Sequence, residues 1–202
     1  KWKDEFDGAS LNTSNWNYET GGHGWGNNEL QYYQQQNTLV KNGTLIIEAR
    51  KESSNGKNYT SSRLTTQNKQ TFKYGRIDIR ALLPQGQGIW PALWMLGSNI
   101  TSAGWPACGE IDIMELIGHI PNTVYGTAHW GSSFPSTYKT GQISLPAGEF
   151  DDQYHVFTII WEQNQIKWYM DDKAFHTITP SNTGSIYPFN NKFFFLFHVA
   201  VG

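Results

Sequence analysis

Hydrophobic and polar residues alternate along much of this chain, with the two-residue period that is typical of β-strands. The segment Phe72–Leu83 shows the pattern most clearly. In it, Ile77, Ile79 and Ala81 alternate with charged residues, which predicts a strand with one buried face. No segment keeps the 3.6-residue period of an amphipathic helix over three turns. The pattern therefore predicts a protein built mainly from β-strands.

Polar turns divide the chain into many short strands. The Asn-Gly pair at positions 42 and 43 is a strong hairpin signal. Residues 1–37 are predicted to hold strand fragments within a polar loop, and residues 131–150 to form a long loop. Many short strands with short turns predict an all-β fold, either an antiparallel sandwich or a jelly roll. The predicted strands are Thr38–Lys41, Thr44–Arg50, Phe72–Leu83, Ile89–Leu96, Glu110–Ile117, Val124–Trp130, Tyr154–Glu162, Gln165–Met170, Lys173–Ile178 and Phe193–Val201.

Three carboxylates lie within one of these predicted strands, where Glu110, Asp112 and Glu115 are interspersed with apolar residues. Side chains alternate between the two faces of a strand, so Glu110 and Asp112 share a face. Glu115 is an odd number of residues from both and falls on the opposite face. A β-bulge near Ile113 and Met114 would add one residue and return Glu115 to the face of the other acids. The sequence therefore predicts a bulged strand with three acids in a row.

A row of three acids is costly unless it has a function. Like charges this close cannot all ionise freely, so the pKa of at least one carboxyl group is expected to rise. Retaining glycoside hydrolysis uses a protonated carboxyl group and an ionised carboxylate roughly 5–5.5 Å apart. A solvated sheet edge and a metal site are the alternatives. Tryptophans precede and follow the acids in the sequence, which favours the floor of a cleft over a solvated surface.

Length and charge limit the classes of function. The 202 residues fit a single domain, residues 1–202, with a sizeable core. The net charge of −2 and the absence of runs of Lys or Arg argue against binding to nucleic acid or to an acidic membrane surface. No apolar run reaches the roughly 18 residues that a membrane-spanning helix needs. Abundant Asn and Gln are instead typical of a surface that hydrogen-bonds neutral polyols.

Aromatic residues are more numerous than a core of this size requires. The chain contains nine Trp, ten Tyr and eleven Phe, and aromatic residues make up 15% of it. Flat rings stack on the apolar faces of sugars, and the indole N–H donates to hydroxyl groups. Some of these rings are therefore expected to line a ligand-binding surface.

The single cysteine and the two ends of the chain bear on its location and completeness. Cys108 cannot form an internal disulfide, so the cysteine content does not identify a compartment. No signal peptide follows Lys1, which is expected of either a cytosolic protein or a mature, trimmed form. The chain stops inside the apolar run Phe193–Gly202, so the C-terminal end of the domain is expected to be incomplete.

The acid run resembles the catalytic signature of a known family. Glu110-Ile-Asp-Ile-Met-Glu115 is similar to the signature of glycoside hydrolase family 16, in the form with one extra residue, here Met114, before the second Glu. That form is typical of laminarinase-like endo-β-1,3-glucanases, whereas the licheninase form lacks the insertion. Further matches to that subgroup lie in the expected order at Trp25–Tyr32, Thr60–Arg63, Tyr74–Arg76, Ile89–Leu96, Trp105–Gly109, Gly126–Trp130 and Val199–Gly202.

The resemblance implies an antiparallel β-jelly roll with a concave substrate cleft, and a retaining double displacement. Glu110 is similar to the nucleophile, Glu115 to the general acid/base and Asp112 to an assisting carboxylate between them. The nucleophile must be ionised to attack the anomeric carbon, while the acid must hold a proton for the leaving oxygen. Asp112 would help to separate the pKa values of the two glutamates.

Further cleft residues are suggested, and most have a structural alternative. By resemblance, Trp90, Trp94 and Trp105 form the cleft wall and the sugar subsites on the non-reducing side. Each of these tryptophans, and Trp130, could instead belong to the core. By resemblance His129 lies beside the acids, and its alternative is a hydrogen-bonded histidine of the core. By resemblance Arg63 bonds a sugar hydroxyl, and its alternative is a surface ion pair. His198 is expected to reach the cleft. Asn27 and Glu29 lie in a Gly-rich segment that approaches the ligand or only forms a turn. The expected substrate-binding residues are Asn27, Glu29, Arg63, Trp90, Trp94, Trp105, His129 and Trp130.

The resemblance also raises the question of a metal. Family members often hold one structural calcium on the convex side, far from the cleft. The Glu5 region and the Gly43 carbonyl are similar to two of its ligands, and a third would come from the end of the domain. Two oxygens are fewer than the roughly six or more that calcium takes. A structural calcium therefore stays an open alternative, and no cofactor is expected for catalysis.

These inferences favour one function over several rivals. Agarases and carrageenases share the style of the acid motif, but their charged galactans would call for Arg and Lys in the cleft, where the sequence offers few. The chain is expected to be a secreted, monomeric endo-β-1,3-glucanase that binds β-glucan polysaccharides or oligosaccharides and hydrolyses laminarin-type glucans with retention. A mixed-linkage β-1,3-1,4-glucanase is the nearest rival. A non-catalytic β-glucan recognition domain is disfavoured, because such relatives have typically lost one or both catalytic glutamates. An unrelated lectin-like sandwich would leave the acid row unexplained.

Overall fold

The computed structural model describes residues 1–202 and consists almost entirely of β-strands. Two four-residue α-helices, α1 (Ile100–Ala103) and α2 (Pro180–Thr183), are the only α-helical segments. None of the helices has the length and apolar character that crossing a membrane requires. The strands are β1 (Asn17–Glu19), β2 (Gln31–Tyr33), β3 (Thr38–Val40), β4 (Leu45–Ile47), β5 (Tyr59–Ser61), β6 (Arg63–Thr65), β7 (Gly75–Ala81), β8 (Ile89–Gly97), β9 (Glu110–Leu116), β10 (Thr123–Trp130), β11 (Thr137–Ser144), β12 (His155–Glu162), β13 (Gln165–Met170), β14 (Lys173–Ile178) and β15 (Phe193–Val201).

The strands form two large antiparallel sheets around one core, as predicted for a β-jelly-roll sandwich. The larger sheet has seven strands in the order β1-β6-β15-β8-β9-β10-β11, and the smaller has four in the order β14-β13-β12-β7. The pairs β2–β5 and β3–β4 form two small separate sheets. Because β8, β9 and β15 lie in the interior of the larger sheet, they pair on both edges, and every residue of β15 is buried.

The core links the smaller sheet to the acid-bearing strand. Trp168 of β13 is fully buried, and its Nε1 donates a hydrogen bond of 2.8 Å to the backbone oxygen of Asp112. Gly126 of β10 makes room for this indole, since a Cβ there would lie 2.5 Å from Trp168 Cδ1. A buried indole N–H without a partner would be destabilising. This contact therefore satisfies Trp168 and fixes the back of the acid strand.

The predicted bulge in the acid strand is confirmed. Against β8, Met114 pairs with Leu93 and Asp112 pairs with Trp94, so Ile113 is the extra residue. The β9–β10 register shifts at the same level of the strand. Ile113 and Met114 are both buried in the main core cluster, although they are consecutive. The bulge thus restores Glu115 to the face that carries Glu110 and Asp112, as the residue count required.

Most predicted strands agree with the structure, but the long loop predicted for residues 131–150 is wrong. Strand β11 occupies Thr137–Ser144 and pairs with β10 along its whole length. The sequence pattern did not predict β11, because it is an edge strand with mostly exposed side chains and therefore lacks an apolar face. The Asn-Gly hairpin is confirmed: Asn42 and Gly43 have φ values of 54° and 70°, which suit a type I′ turn.

Candidate active site

An open trough of about 590 Å³ crosses the larger sheet over the acid strand. Its lining comes from β6, β15, β8, β9, β10 and β11, with loop residues at the rim. Glu110, Asp112 and Glu115 all face into it, so β9 supplies three carboxylates to one surface. A second hollow of about 450 Å³ shares Trp90 and Glu115 with the trough. The predicted cleft floor is therefore present, with the acids near its middle.

An indole N–H meets the carboxylate at each end of the acid row. Trp105 Nε1 donates to Glu110 Oε2 at 2.8 Å, and Trp90 Nε1 donates to Glu115 Oε1 at 3.1 Å. Trp90 and Trp105 thus lie at opposite ends of the row, not on a single wall. Each indole fixes the orientation of one glutamate and offers an apolar ring next to it. The two glutamates are held separately, as two distinct roles would require.

The three carboxyl groups shift one another's protonation. Burial raises the pKa of Glu110 well above its usual range, and the nearby Asp112 raises it further. Burial also raises the pKa of Asp112 and of Glu115. His129 opposes the shift in both glutamates, as does the indole N–H that each accepts. The raised pKa of Glu110 disfavours the ionised form that a nucleophile needs. His129 and the Trp105 N–H favour that form, so the charge of Glu110 depends on these two groups.

His129 lies beside the acids, as the resemblance implied. Its Nε2 is 3.3 Å from Asp112 Oδ2 and 3.8 Å from Glu110 Oε1. Asp112 Oδ2 is buried and has no hydrogen-bond partner, so the imidazole is the polar group that compensates it. On the other side of the ring, Nδ1 lies 3.2 Å from Ser136 Oγ. Ser136 therefore helps to set the orientation of the ring, a role the sequence did not suggest.

One flank of the trough, on β6, β15 and β8, carries an aromatic and cationic cluster. The Arg63 guanidinium lies between Trp25 and Trp94, 4.7 and 4.9 Å from the ring centroids, and its Nε bonds Glu19 Oε2 at 2.5 Å. Arg63 thus combines the expected cleft position with the alternative ion pair. Trp94 Nε1 donates to His198 Nδ1 at 3.1 Å. Because an indole N–H can only donate, Nδ1 must be unprotonated.

The same cluster keeps His198 neutral. Burial lowers the pKa of His198 well below its usual value, and the positive charge of Arg63 lowers it further. The neutral ring can then accept from Trp94 and hold that indole in the trough. His198 lines the trough, as expected from the sequence, although the strand around it is apolar.

Asn27 and Glu29 differ in their positions. Asn27 lines the trough, whereas Glu29 is only 3% exposed and borders the adjoining hollow. The Glu29 carboxylate accepts hydrogen bonds from Gln31 Nε2, the Tyr33 hydroxyl and Asn27 Nδ2 at 2.6, 2.9 and 3.2 Å. These contacts correspond to the turn-forming alternative, since Glu29 holds the segment that carries Asn27. A contact between Glu29 and the substrate stays a prediction.

Trp130 is a correction to the expected binding residues. It is 5% exposed and belongs to the main core cluster, away from the trough. The reason is strand phase: Trp130 follows His129 directly in β10, and consecutive side chains point to opposite faces. Because His129 faces the acids, Trp130 must face the core. Residues of the trough that sequence reasoning did not select are Trp25, Gly26, Ala92, Leu96, Ile100, Thr127, Phe134, Tyr138 and Thr140.

Comparison with known proteins assigns the family. The model of the family "Glycosyl hydrolases family 16" matches residues 5–196, nearly the whole chain. The chain belongs to glycosyl hydrolase family 16. Within this family, it is 41% identical over its full length to a glucan endo-1,3-beta-glucosidase A1 of Niallia circulans, of which it spans 33%. It is 43% identical to a beta-glucanase of Rhodothermus marinus, of which it spans 74%.

A solved family 16 structure confirms the fold. The laminarinase catalytic domain from Thermotoga maritima MSB8, crystallised with cetyltrimethylammonium bromide, superposes with a TM-score of 0.92 at 46% identity. The match covers 100% of this chain and 86% of that one. The jelly-roll fold of laminarinases is therefore the fold of this family 16 chain.

The two metal alternatives concern different parts of this family 16 chain. A Cβ at Gly43 would lie 3.6 Å from Asp7 Oδ1 and 3.8 Å from Glu5 O, so the expected calcium region does bring oxygens together. They supply only part of the roughly six or more oxygens that calcium takes. In the trough, ligand atoms of Glu110, Asp112 and His129 lie within 4.8 Å of one another. The Trp105 N–H already binds one Glu110 oxygen, which leaves fewer free ligand atoms for a metal there.

Replacing Asp112 with asparagine is expected to lower activity and raise stability. The folded protein raises the pKa of this carboxyl group, so the folded state binds the proton more tightly than the unfolded chain. Its ionisation therefore destabilises the fold as pH rises above the unfolded value of about 3.9. D112N removes that cost. At neutral pH we expect the free energy of unfolding to rise by about 1 kcal/mol, which raises Tm by a few degrees.

The stability gain of D112N has a defined pH dependence. It should be largest above the folded pKa of Asp112 and disappear below about pH 4, where both states are protonated. We expect kcat to fall about a hundredfold, because the carboxyl group that helps to set the pKa of Glu110 is lost. Thermal denaturation from pH 3 to pH 8 is the measurement. A Tm difference that grows as the pH falls would contradict the argument.

Proposed function

We propose that this chain is an endo-β-1,3-glucanase that hydrolyses laminarin-type β-glucans with retention of configuration. The observation that carries the proposal is the pair Glu110 and Glu115 on one face of β9, each oriented by an indole N–H, on the floor of an open trough. The names of the Niallia and Rhodothermus relatives and of the Thermotoga laminarinase support the same substrate class.

In the first step, Glu110 attacks the anomeric carbon of the sugar at the acid row. The bond from this carbon to the leaving sugar's oxygen breaks, and Glu115 gives its proton to that oxygen. The product is a glycosyl ester of Glu110 with inverted, α configuration. The Trp105 N–H and His129 stabilise the charged form of Glu110 before attack, because both favour its ionised state.

In the second step, water replaces the departed sugar. Glu115, now ionised, takes a proton from the water, whose oxygen attacks the anomeric carbon and releases Glu110. The second inversion restores the β configuration. Burial raises the pKa of Glu115, which keeps it protonated for the first step. Asp112 lies between the two glutamates, with His129 Nε2 3.3 Å from its unpartnered Oδ2.

The shape and charge of the trough favour internal cleavage of a neutral chain. Strands β15 and β8 extend the floor on one side of β9, and β10 and β11 extend it on the other, so a polysaccharide can pass across the acids. Arg63 is the only Lys or Arg in the lining. Sulfated galactans would require more cations, so carrageenase activity is disfavoured. A mixed-linkage β-1,3-1,4-glucanase has the same shape requirements and stays the second candidate.

Several further properties belong to the same proposal. A secreted, monomeric enzyme would suit a polysaccharide substrate, which is met outside the cell. A structural calcium near Glu5 and Gly43 is compatible with the oxygens found there. A recognition domain without catalysis is disfavoured, because both glutamates are present and each is hydrogen-bonded in the trough.

A product profile tests the proposed function. We expect release of oligosaccharides from laminarin, with NMR showing the β anomer at each newly formed reducing end before mutarotation. Lichenan, agarose and carrageenan are the comparison substrates. Cleavage of lichenan alone would favour the mixed-linkage alternative, and initial release of the α anomer would contradict retention. Binding to laminarin without cleavage of any substrate would favour a recognition domain.

A further inference from the structure

The flank of the trough on β10 and β11 exposes two large aromatic rings. Phe134, in the turn between these strands, is 78% exposed, and Tyr138 of β11 is 64% exposed. They are the two most exposed large hydrophobic side chains of the chain. Both line the trough, on the side of the acid strand opposite to Arg63 and Trp94. Exposed aromatic surface of this size in a cleft is typical of a binding site.

The two rings continue an aromatic surface that begins at the acid row. The Phe134 ring lies 6.0 Å from that of Trp105, and the Tyr138 ring lies 5.5 Å from that of His129. Trp105 and His129 both contact Glu110, so the surface leads away from the reacting position without a gap. A ligand that spans the acids would therefore extend onto Phe134 and Tyr138.

The chemistry of this flank suits an uncharged sugar. The side chains beside the rings are Thr127 and Thr140, whose hydroxyl oxygens lie 3.0 Å apart. The nearest cation in the sequence of β11, Lys139, donates instead to the backbone oxygen of Thr177 at 3.4 Å. The flank thus offers flat apolar faces and hydroxyl groups, and no Lys or Arg side chain. A glucosyl ring presents the matching features, an apolar face and a rim of hydroxyls.

We propose that Phe134 and Tyr138 form a subsite that binds one glucosyl unit of the glucan chain by stacking, beyond the unit at the acid row. This subsite rests on the proposed function, since it names where the same substrate continues. It adds binding energy at a distance from the bond that is cut. Part of that energy is available to position the chain across Glu110 and Glu115.

Substitution of Phe134 tests the subsite, because the aromatic ring that pairs with it is that of Trp105 and not that of His129. We expect F134A to lower kcat/KM for laminarihexaose roughly three- to tenfold, the range of one aromatic stacking contact. We also expect the bond cut most often in the end-labelled hexaose to change, since one subsite is weakened. F134W should retain both properties, and F134L should resemble F134A, because leucine is apolar but not flat.

Two control variants separate stacking from other effects. S133A changes the same turn without removing a ring, and Y154A removes an exposed aromatic residue that lies outside the trough. Both should leave kcat/KM and the cleavage pattern unchanged. Equal kcat/KM and pattern in F134A and the wild-type protein would overturn the subsite, as would F134L behaving like F134W.

The subsite and the proposed function can fail separately. If the wild-type protein cuts laminarihexaose and F134A does so equally, only the subsite is wrong. If the wild-type protein cuts no β-glucan, the proposed enzymatic function is wrong, and calorimetric binding of laminarihexaose then decides the subsite. A Kd that is weaker in F134A but not in S133A supports the stacking site, and an unchanged Kd overturns it.

Discussion

Glu110→Ala is expected to abolish hydrolysis of laminarin, with kcat falling by about four orders of magnitude or more. The substitution removes the oxygen that attacks the anomeric carbon, and the Trp105 N–H and His129 lose the carboxylate that they orient. The fold should survive, because Glu110 lies at the start of β9 and replacing it relieves a buried charge. Initial rates on laminarin, together with a circular dichroism spectrum and Tm, measure the effect.

Azide distinguishes loss of the nucleophile from a general loss of activity. In E110A a small anion can enter the vacated space and attack the anomeric carbon of an aryl β-laminarioside from the α face. We expect turnover to recover and the product to be an α-glycosyl azide. The control E162A removes an exposed glutamate at the end of β12 and should retain full activity. A β-glycosyl azide, or unchanged hydrolysis in E110A, would show that Glu110 is not the nucleophile.

Glu115→Gln should lower kcat on laminarin by roughly 10²- to 10⁴-fold, the usual range for a general acid. The amide keeps the shape of the side chain and its place beside the Trp90 N–H, but it has no proton to give to the leaving oxygen. An aryl glycoside whose leaving group needs no protonation should be affected much less in the first step. The ratio of the two substrates' rates, in variant and wild type, is the measurement.

The pH profile gives an independent check on Glu115. Burial raises its pKa, so its protonated, active form persists to higher pH than that of an exposed glutamate. Activity of the wild-type protein on laminarin should therefore fall as the pH rises through that raised pKa. The alkaline fall should be absent in E115Q, because the titrating group has been removed. An unchanged alkaline limb would assign it to another group.

The acid row was predictable because the three acids lie close together in the sequence. The spacing of Glu110, Asp112 and Glu115 requires one extra residue to bring the acids onto a common face, and the bulge supplies it. The same alternation could have excluded Trp130 once His129 was placed in the cleft, since the two are adjacent. The position of Trp130 in the core was therefore predictable from the sequence.

Other contacts of the site join segments that are distant in sequence, and local patterns do not contain them. Arg63 and His198 are brought together by the pairing of β6 with β15, and Trp94 joins them from β8. The contact of Ser136 with His129 depends on the β10–β11 hairpin, which could not be seen because β11 has no apolar face. The positions of Phe134 and Tyr138 in the trough were not predicted, because they depend on the same hairpin. Edge strands and non-local pairing therefore account for most of what was missed.

The bulge in β9 also makes the sequence separation of the two glutamates adjustable. Adding one residue to a regular strand turns every later side chain to the other face, which here would bury Glu115 in the core. The bulge absorbs the added residue, so five positions with a bulge and four without one present both glutamates to the same surface. Deletion of Ile113 can therefore leave the catalytic face intact while changing the local twist.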